Sequence, residues 1–571
     1  MKKFKFIFLF VVLTSPAFAT PEGLQAKWLE QGWSQDERQY WHYRSLGQAL
    51  APVSWLQSLE RAKSNSPLMD RSYLESLGFL FEEKNKHNPN DLPIGFAVAP
   101  KGSTVQGHVG LSCSACHTSQ INYKGKSIRI DGGSSNFDIS RMLGEYYASL
   151  DSTFKDKEKW DRFVTRVQKI ENINDADLYK QIARVLNDAA WSEQATSKSP
   201  GTHTQPGPGR ADALNRIGNY VFGQRLLVSS NYHNTNAPAN YPPLWNIWKF
   251  NWVHYNASFS QPMARNILQV LGNNGTTNFI NSEGQPVQGD DRWKTSIDFL
   301  AAAEMEEGIR KLSAPRWPEE VLGPIDQGKI NNGKSLFEKH CSSCHAARPI
   351  KAPANLKAEL AVVTVPLPII GTDPAHAKTY HDRRYDLSKL TGDSTLISGS
   401  DGLLLGINAI ENYAYNQLNL SQEKREKLNG FGRINQIRGP LAYKARTLEG
   451  IWATPPYLHN GSVPNMYELL SPVSERSKQF WTGGVEYDPI KLGYVTTESN
   501  GNYFLFDTTV GGNSNVGHEF NDGQGPGVIG PKLTHAERTD LIEYLKVLDQ
   551  NPPSSMPAVA FDWEWSAKAK P

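Results

Sequence analysis

The sequence predicts a mainly α-helical protein built as two small domains with long loops and small β-hairpins. Three observations predict it. At 571 residues the chain exceeds one domain of roughly 100–200 residues, so more than one packed core is expected. Its four cysteines fall in two short strings far apart, Cys113-Ser-Ala-Cys116-His117 and Cys341-Ser-Ser-Cys344-His345. Capping signals followed by apolar residues at helical spacing mark the N-terminal region and the C-terminal end.

Composition narrows the class. A chain that is 39% hydrophobic, 21% charged and 11% aromatic is globular, which excludes disordered, collagen-like and multi-spanning membrane proteins. A formal charge of +2 with no basic block leaves no electrostatic footprint for nucleic acid. Residues 1–19 read as a secretory signal peptide. Lys2, Lys3 and Lys5 are followed by the apolar run Phe6 to Leu13 and by the small-residue site Ala17-Phe18-Ala19. The run is too short to span a bilayer, and no other stretch is long and apolar enough. A periplasmic or secreted protein close to neutral is expected.

Each cysteine string is C-x-x-C-H, the attachment motif for c-type haem. Two thiols three positions apart add to the two vinyl groups on one porphyrin edge, and the adjacent histidine offers its imidazole to iron. A redox dithiol or half a zinc site would not require that histidine, yet both copies carry it. Two covalently bound haems (iron) are therefore expected. The cofactor-binding residues are Cys113, Cys116, His117, Cys341, Cys344 and His345, with His117 and His345 on iron. The fold class becomes mainly α with two cytochrome c-like haem domains, at 20–313 and 325–552. Ala314-Pro315-Arg316-Trp317-Pro318 to Pro324 forms the linker, and 553–571 is a Pro-rich tail.

The elements follow in order. Ser34-x-x-Glu37 is a capping box that opens a helix. Gly107 to Ser112 leads into the first motif as a loop or short strand, and Ile121 to Ile130 alternates around Lys124-Gly125 as a hairpin. Residues 136–186 read mostly as helices, 196–210 as a Pro/Gly/Ser loop, and 229–262 as a loop crowded with Asn, Pro and aromatics. Asn331 to His340 is an amphipathic run entering the second motif, with Leu336 and Phe337 toward the haem. Thr534-x-x-Glu537 caps a final helix with Leu541, Ile542, Leu545 and Leu548 at helical spacing. That helix should cross the one before Cys341.

Several strings resemble the dihaem c-type oxygenases, the rubber oxygenases and their fatty-acid dioxygenase relatives, within the dihaem cytochrome c peroxidase superfamily. They are Gln31-Gly32-Trp33-Ser34, Leu92-Pro93-Ile94-Gly95-Phe96, Ile130-Asp131-Gly132-Gly133, Gly209-Arg210-Ala211-Asp212-Ala213-Leu214-Asn215 and Ala314-Pro315-Arg316-Trp317-Pro318. The most specific is Tyr443-Lys444-Ala445-Arg446 through Trp452-Ala453-Thr454-Pro455-Pro456-Tyr457-Leu458-His459-Asn460-Gly461-Ser462-Val463-Pro464. The resemblance implies that the first haem is catalytic, with His117 its sole protein ligand and an axial position open for O2. It implies that the second haem, on His345, transfers electrons and carries a second protein ligand. His518 in Gly517-His518-Glu519-Phe520 is the choice for that ligand, with His459 and Tyr457 as alternatives. Trp452 or Trp317 is a candidate bridge between the haems.

Residues 241–259 hold Trp245, Trp248, Phe250, Trp252, Tyr255 and Phe259 with no acid, and His254 is the one histidine there. Trp245, Trp248, Trp252, His254 and Phe259 join His117 as candidate catalytic residues around an apolar cavity, although any one of these aromatics serves equally well as core. The leading expectation is an O2-dependent dioxygenase acting on C=C bonds of an apolar small-molecule or polymer substrate, an unsaturated fatty acid or polyisoprene. A dihaem peroxidase, served by a small electron-donor cytochrome, is the alternative, followed by a non-catalytic electron-transfer cytochrome.

Overall fold

The computed structural model describes residues 26–281, 283–351, 359–430, 433–560 and 567–568. The export signal expected at 1–19 and much of the Pro-rich tail lie outside the described residues.

Helices form where the sequence caps them. The Ser34 hydroxyl accepts the Glu37 N–H while the Glu37 carboxylate accepts the Ser34 N–H, and the helix Gln35–Tyr43 follows. Thr534 and Glu537 make the same reciprocal pair ahead of His535–Leu545. Asp138, Asp156 and Asn174 cap Ile139–Lys155, Lys157–Val167 and Asp175–Ser197, the helices that fill the region expected to be helical. The hairpin pairs Thr118–Tyr123 with Lys126–Asp131, and Lys124 and Gly125 turn it at φ 48° and 75°.

The fold is not mainly α. Helices hold 39% of the described residues and strands 15%, the latter spread over nine sheets of two or three strands. These strands are two to six residues long, and many pair segments distant in sequence. Val363–Pro366 runs antiparallel to Ala442–Ala445, and Lys27–Trp28 runs parallel to residues of Lys126–Asp131. A strand of two residues carries no alternation to read, so its partner far along the chain decides it.

Two large apolar clusters make the core. One lies beneath the three capped helices and draws on residues from Ala51 to Tyr241. The larger reaches from Leu29 to Leu548 and takes in Trp245, Trp452, Phe337 and Tyr544. Within it the helix Gln327–His340 crosses His535–Leu545 at very short range. A Cβ on Gly333 would lie 2.1 Å from the Asp540 carbonyl oxygen, and the Phe337 and Tyr544 rings meet edge-on at 5.5 Å.

Candidate haem sites

The first motif is delivered by a three-stranded sheet with His108–Leu111 at its centre. Cys113–Cys116 then forms a single helical turn. Ser112 and Ser114, which flank Cys113, both donate to the His42 carbonyl, at 3.1 and 3.0 Å. The end of the helix Gln35–Tyr43 therefore pins the turn. Gly95 at φ 88° passes against it so closely that a Cβ would meet the Ala115 nitrogen at 2.1 Å. Behind the turn His42 is fully buried between Glu82 (3.1 Å) and Asp131 (3.0 Å), and Arg38 donates to Asp131 at 2.6 Å. Burial holds the Cys113 and Cys116 thiols up, to about 11 and about 12.

The His117 imidazole is buried, and burial followed by the Arg265 charge pushes it down to about 3. The Pro242 backbone beside the ring acts against that shift. The aromatic ring packed against it is Tyr241, at 6.3 Å.

The second motif continues the helix Gln327–His340. The Cys341 N–H donates to Phe337 O at 2.8 Å and the His345 N–H to Cys341 O at 2.9 Å. His345 Nδ1 lies 2.7 Å from the Arg446 carbonyl oxygen. A carbonyl only accepts, so Nδ1 carries the proton and Nε2 keeps its lone pair, the tautomer a metal requires. Facing it is His518, with ring centroids 6.2 Å apart and planes at 68°. An iron bound by both imidazoles at roughly 2 Å per nitrogen needs ring centres about 6 Å apart, which this spacing meets. Burial first, then the His345 ring and Arg476, push His518 down to about 3, so it too is neutral.

His518 sits at φ 41° in a segment that Arg476 clamps. The Arg476 guanidinium donates to the carbonyls of Asn515, Gly517 and His518 at 2.5, 2.9 and 2.9 Å. Cys341, Cys344, His345 and His518 line a cavity of about 820 Å³, together with Phe337, Lys444 and Thr447. The thiols, the paired imidazoles and the cavity fit a covalent haem. His459 and Tyr457 line the same cavity but are otherwise engaged. His459 stacks on Tyr443 at 4.0 Å, and the Tyr457 hydroxyl donates to Ile451 O at 3.3 Å.

One continuous path joins the two motifs. The Gly132 N–H donates to His117 O at 2.8 Å, and the Leu244 N–H donates to Gly132 O at 2.9 Å. Trp245 follows in the chain, its carbonyl accepting from Arg446 Nη2 at 2.7 Å, and the Arg446 carbonyl holds His345. The Trp245 indole is completely buried and donates to Glu449 O at 2.7 Å. Trp317 and Trp452 pack edge-on to one another at 5.3 Å, off this path.

The remaining aromatic candidates do not converge. His254 lines the cavity, its Nδ1 3.0 Å from the Ser258 hydroxyl and its ring 4.8 Å from Phe259. Burial pushes it down to about 3. Trp252 is buried in a separate small cluster with Phe250, under the Arg438 guanidinium. Trp248 faces a groove of about 580 Å³, where it joins Trp33, Trp41, Leu300 and Leu428. Glu306 also lines that groove and pairs with buried Arg265, the charge felt at His117, Cys113 and His254.

Sequence reasoning assigned no role to Arg476 or Arg265. Arg446 and Lys444 stood inside a quoted string without one. A lone arginine that bonds carbonyls leaves no pattern in sequence.

The family described as RoxA-like, cytochrome c-like matches residues 442–482, the stretch that holds Lys444, Arg446, Tyr457 and His459. Over 92% of this chain and 94% of the relative, the sequence is 37% identical to uncharacterized protein y4iJ of Sinorhizobium fredii. The chain belongs to the same family as y4iJ. Uncharacterized protein y4iM of the same organism is 26% identical over 53% of this chain and 63% of its own length. The match supports a place among the rubber oxygenase-like cytochromes, as a haem-dependent oxidoreductase of cytochrome type with covalent haem c. Among the described residues no helix is long and apolar enough to cross a membrane.

Proposed function

We propose that the protein is an exported, periplasmic or secreted dihaem oxidoreductase that uses O2 to oxygenate C=C bonds of an apolar substrate. Cys113, Cys116 and His117 hold the catalytic haem, and Cys341, Cys344, His345 and His518 hold an electron-transfer haem. The observation that carries this reading is the asymmetry of the two histidines. His345 faces a second imidazole, whereas among the described residues the ring packed on His117 is a tyrosine. A haem with one protein ligand supplies O2 chemistry, and one with two supplies electron transfer.

The chain's own residues supply the rest. The Gly132–Leu244–Trp245–Arg446 path offers electrons a hydrogen-bonded route between the proximal histidines. Burial keeps His254 neutral at the wall of the cavity that Cys341 and Cys344 line, with the Phe259 ring packed on it. The groove at Trp33, Trp41, Trp248 and Leu300 gives an apolar substrate a surface close to the Arg265–Glu306 pair. Apolar walls suit O2 and an alkene better than a peroxide, whose cleavage needs a proton donor. His254, the base weighed for the peroxidase reading, lines the cavity of the Cys341–Cys344 motif and not a pocket at His117.

Oxygen uptake by the purified holoprotein with oleate and with polyisoprene latex tests this. Uptake that depends on either substrate, without added peroxide, is expected. Turnover only with peroxide and a reduced cytochrome would replace this reading with the peroxidase.

A further inference from the structure

Lys444 is a cation without a counter-ion in the wall of the 820 Å³ cavity. Its backbone is fixed in the strand Ala442–Ala445, and its N–H donates to Tyr255 O at 2.7 Å. Among the described residues no carboxylate oxygen lies within 4.0 Å of its ammonium, and the nearest aromatic contact is the Phe250 ring at 5.5 Å. Glu449 is the acid on the same cavity, and its charge acts on Arg446. Three residues on, Thr447 also lines the cavity, and its buried hydroxyl has no hydrogen-bond partner.

Lys444 is half-buried, and drawing an ammonium out of water is costly unless an anion faces it. An orphaned buried hydroxyl adds a further cost. Both costs fall on one short segment that lines the place of the Cys341–Cys344 haem. A haem carries two carboxylates and no other anionic group on its periphery. The missing anion and the missing acceptor are then the same kind of group, brought by the cofactor.

We propose that Lys444 and Thr447 are the donors that hold the carboxylates of the haem attached at Cys341 and Cys344. The proposal rests on the reading that this site carries a haem. The pair makes Lys444 a positioning residue. It fixes the tilt of the ring and places a positive charge at its edge, which favours the reduced iron. Without the haem the segment is strained electrostatically, in keeping with burial and the neighbouring Arg446 and Arg265 charges pushing Lys444 down to about 7.

Resonance Raman spectra and spectroelectrochemical titration of holoprotein carrying Lys444→Met, Lys444→Arg or Thr447→Val test the proposal. Lys444→Met is expected to shift the haem carboxylate bending mode and lower the midpoint potential of the second haem. Lys444→Arg should restore both, and Thr447→Val should shift the mode alone. A Lys444→Met holoprotein with unchanged mode and potential overturns the proposal. If that variant yields no holoprotein, an unchanged mode in Thr447→Val overturns it instead. A low-spin spectrum from the parent shows that the haem reading stands even where the carboxylate contacts fail.

Discussion

The imidazoles of His345 and His518 face each other with ring centroids 6.2 Å apart. They come from segments of different character, a helical turn after Gln327–His340 and a loop at φ 41°. An arginine fixes each: the Arg446 carbonyl orients His345, and Arg476 grips three carbonyls around His518. Burial leaves both rings neutral. The result is a pair of facing neutral imidazoles, spaced as the proposed reading requires of two axial ligands, with the proton of His345 already on its outer nitrogen.

Replacing His518 with alanine should convert the second haem from low-spin to high-spin while both haems stay attached. Absorption and magnetic circular dichroism of the ferric protein check this. Retention of the low-spin bands would return the ligand to His459 or Tyr457.

Arg446→Leu removes the bonds to the Pro243 and Trp245 carbonyls, at 2.8 and 2.7 Å, and orphans both acceptors. A stability loss of about 2–4 kcal/mol is expected from charged hydrogen bonds of this kind. Rapid-mixing reduction should show electron exchange between the haems slowed at least several-fold. Unchanged exchange would remove this path from the account.

Gly333→Ala separates helix propensity from packing. Propensity alone favours alanine by roughly 1 kcal/mol. The added Cβ, however, meets the Asp540 carbonyl at 2.1 Å, and neither backbone can yield without parting the crossed helices. A net loss of about 1–3 kcal/mol is expected, read as a lowered thermal midpoint.

The buried Glu82–His42–Asp131–Arg38 group should make stability depend on pH. Burial opposes charge on His42, but hydrogen bonds and charges from Asp131 and Glu82 outweigh it and raise its pKa. Its contribution is therefore complete below the unfolded value of about 6.5 and fades as pH rises through the folded one. Glu82 has the opposite sign. Burial raises it, His42 lowers it further, and the net is down, so its contribution fades as pH falls through the folded value. Thermal midpoints should peak in mildly acidic buffer. His42→Gln should lower that peak by an amount equivalent to roughly 3 kcal/mol and flatten the decline toward alkaline pH.

How much was legible follows from how each feature is encoded. The capping boxes at Ser34 and Thr534 and the Lys124-Gly125 hairpin are local, and the chain forms them as their residues dictate. The C-x-x-C-H strings are equally local, whereas the contact between Phe337 and Tyr544 of the final helix joins segments about 200 residues apart and was expected from the way small cytochromes c cross their first and last helices. The many small sheets were not legible, because pairs such as Val363–Pro366 with Ala442–Ala445 depend on segments some 80 residues apart. The aromatic stretch misleads for a related reason. Trp245, Trp248 and Trp252 look alike in sequence, yet they enter the main core, a surface groove and a separate cluster. Arg446 and Arg476 act through carbonyls brought together only by folding.

Low-temperature electron paramagnetic resonance of the fully oxidised holoprotein tests the central claim most directly. The account predicts one low-spin haem, from the His345–His518 pair, and one high-spin haem, on His117, in equal amounts. Two low-spin haems, or two high-spin haems, would contradict it.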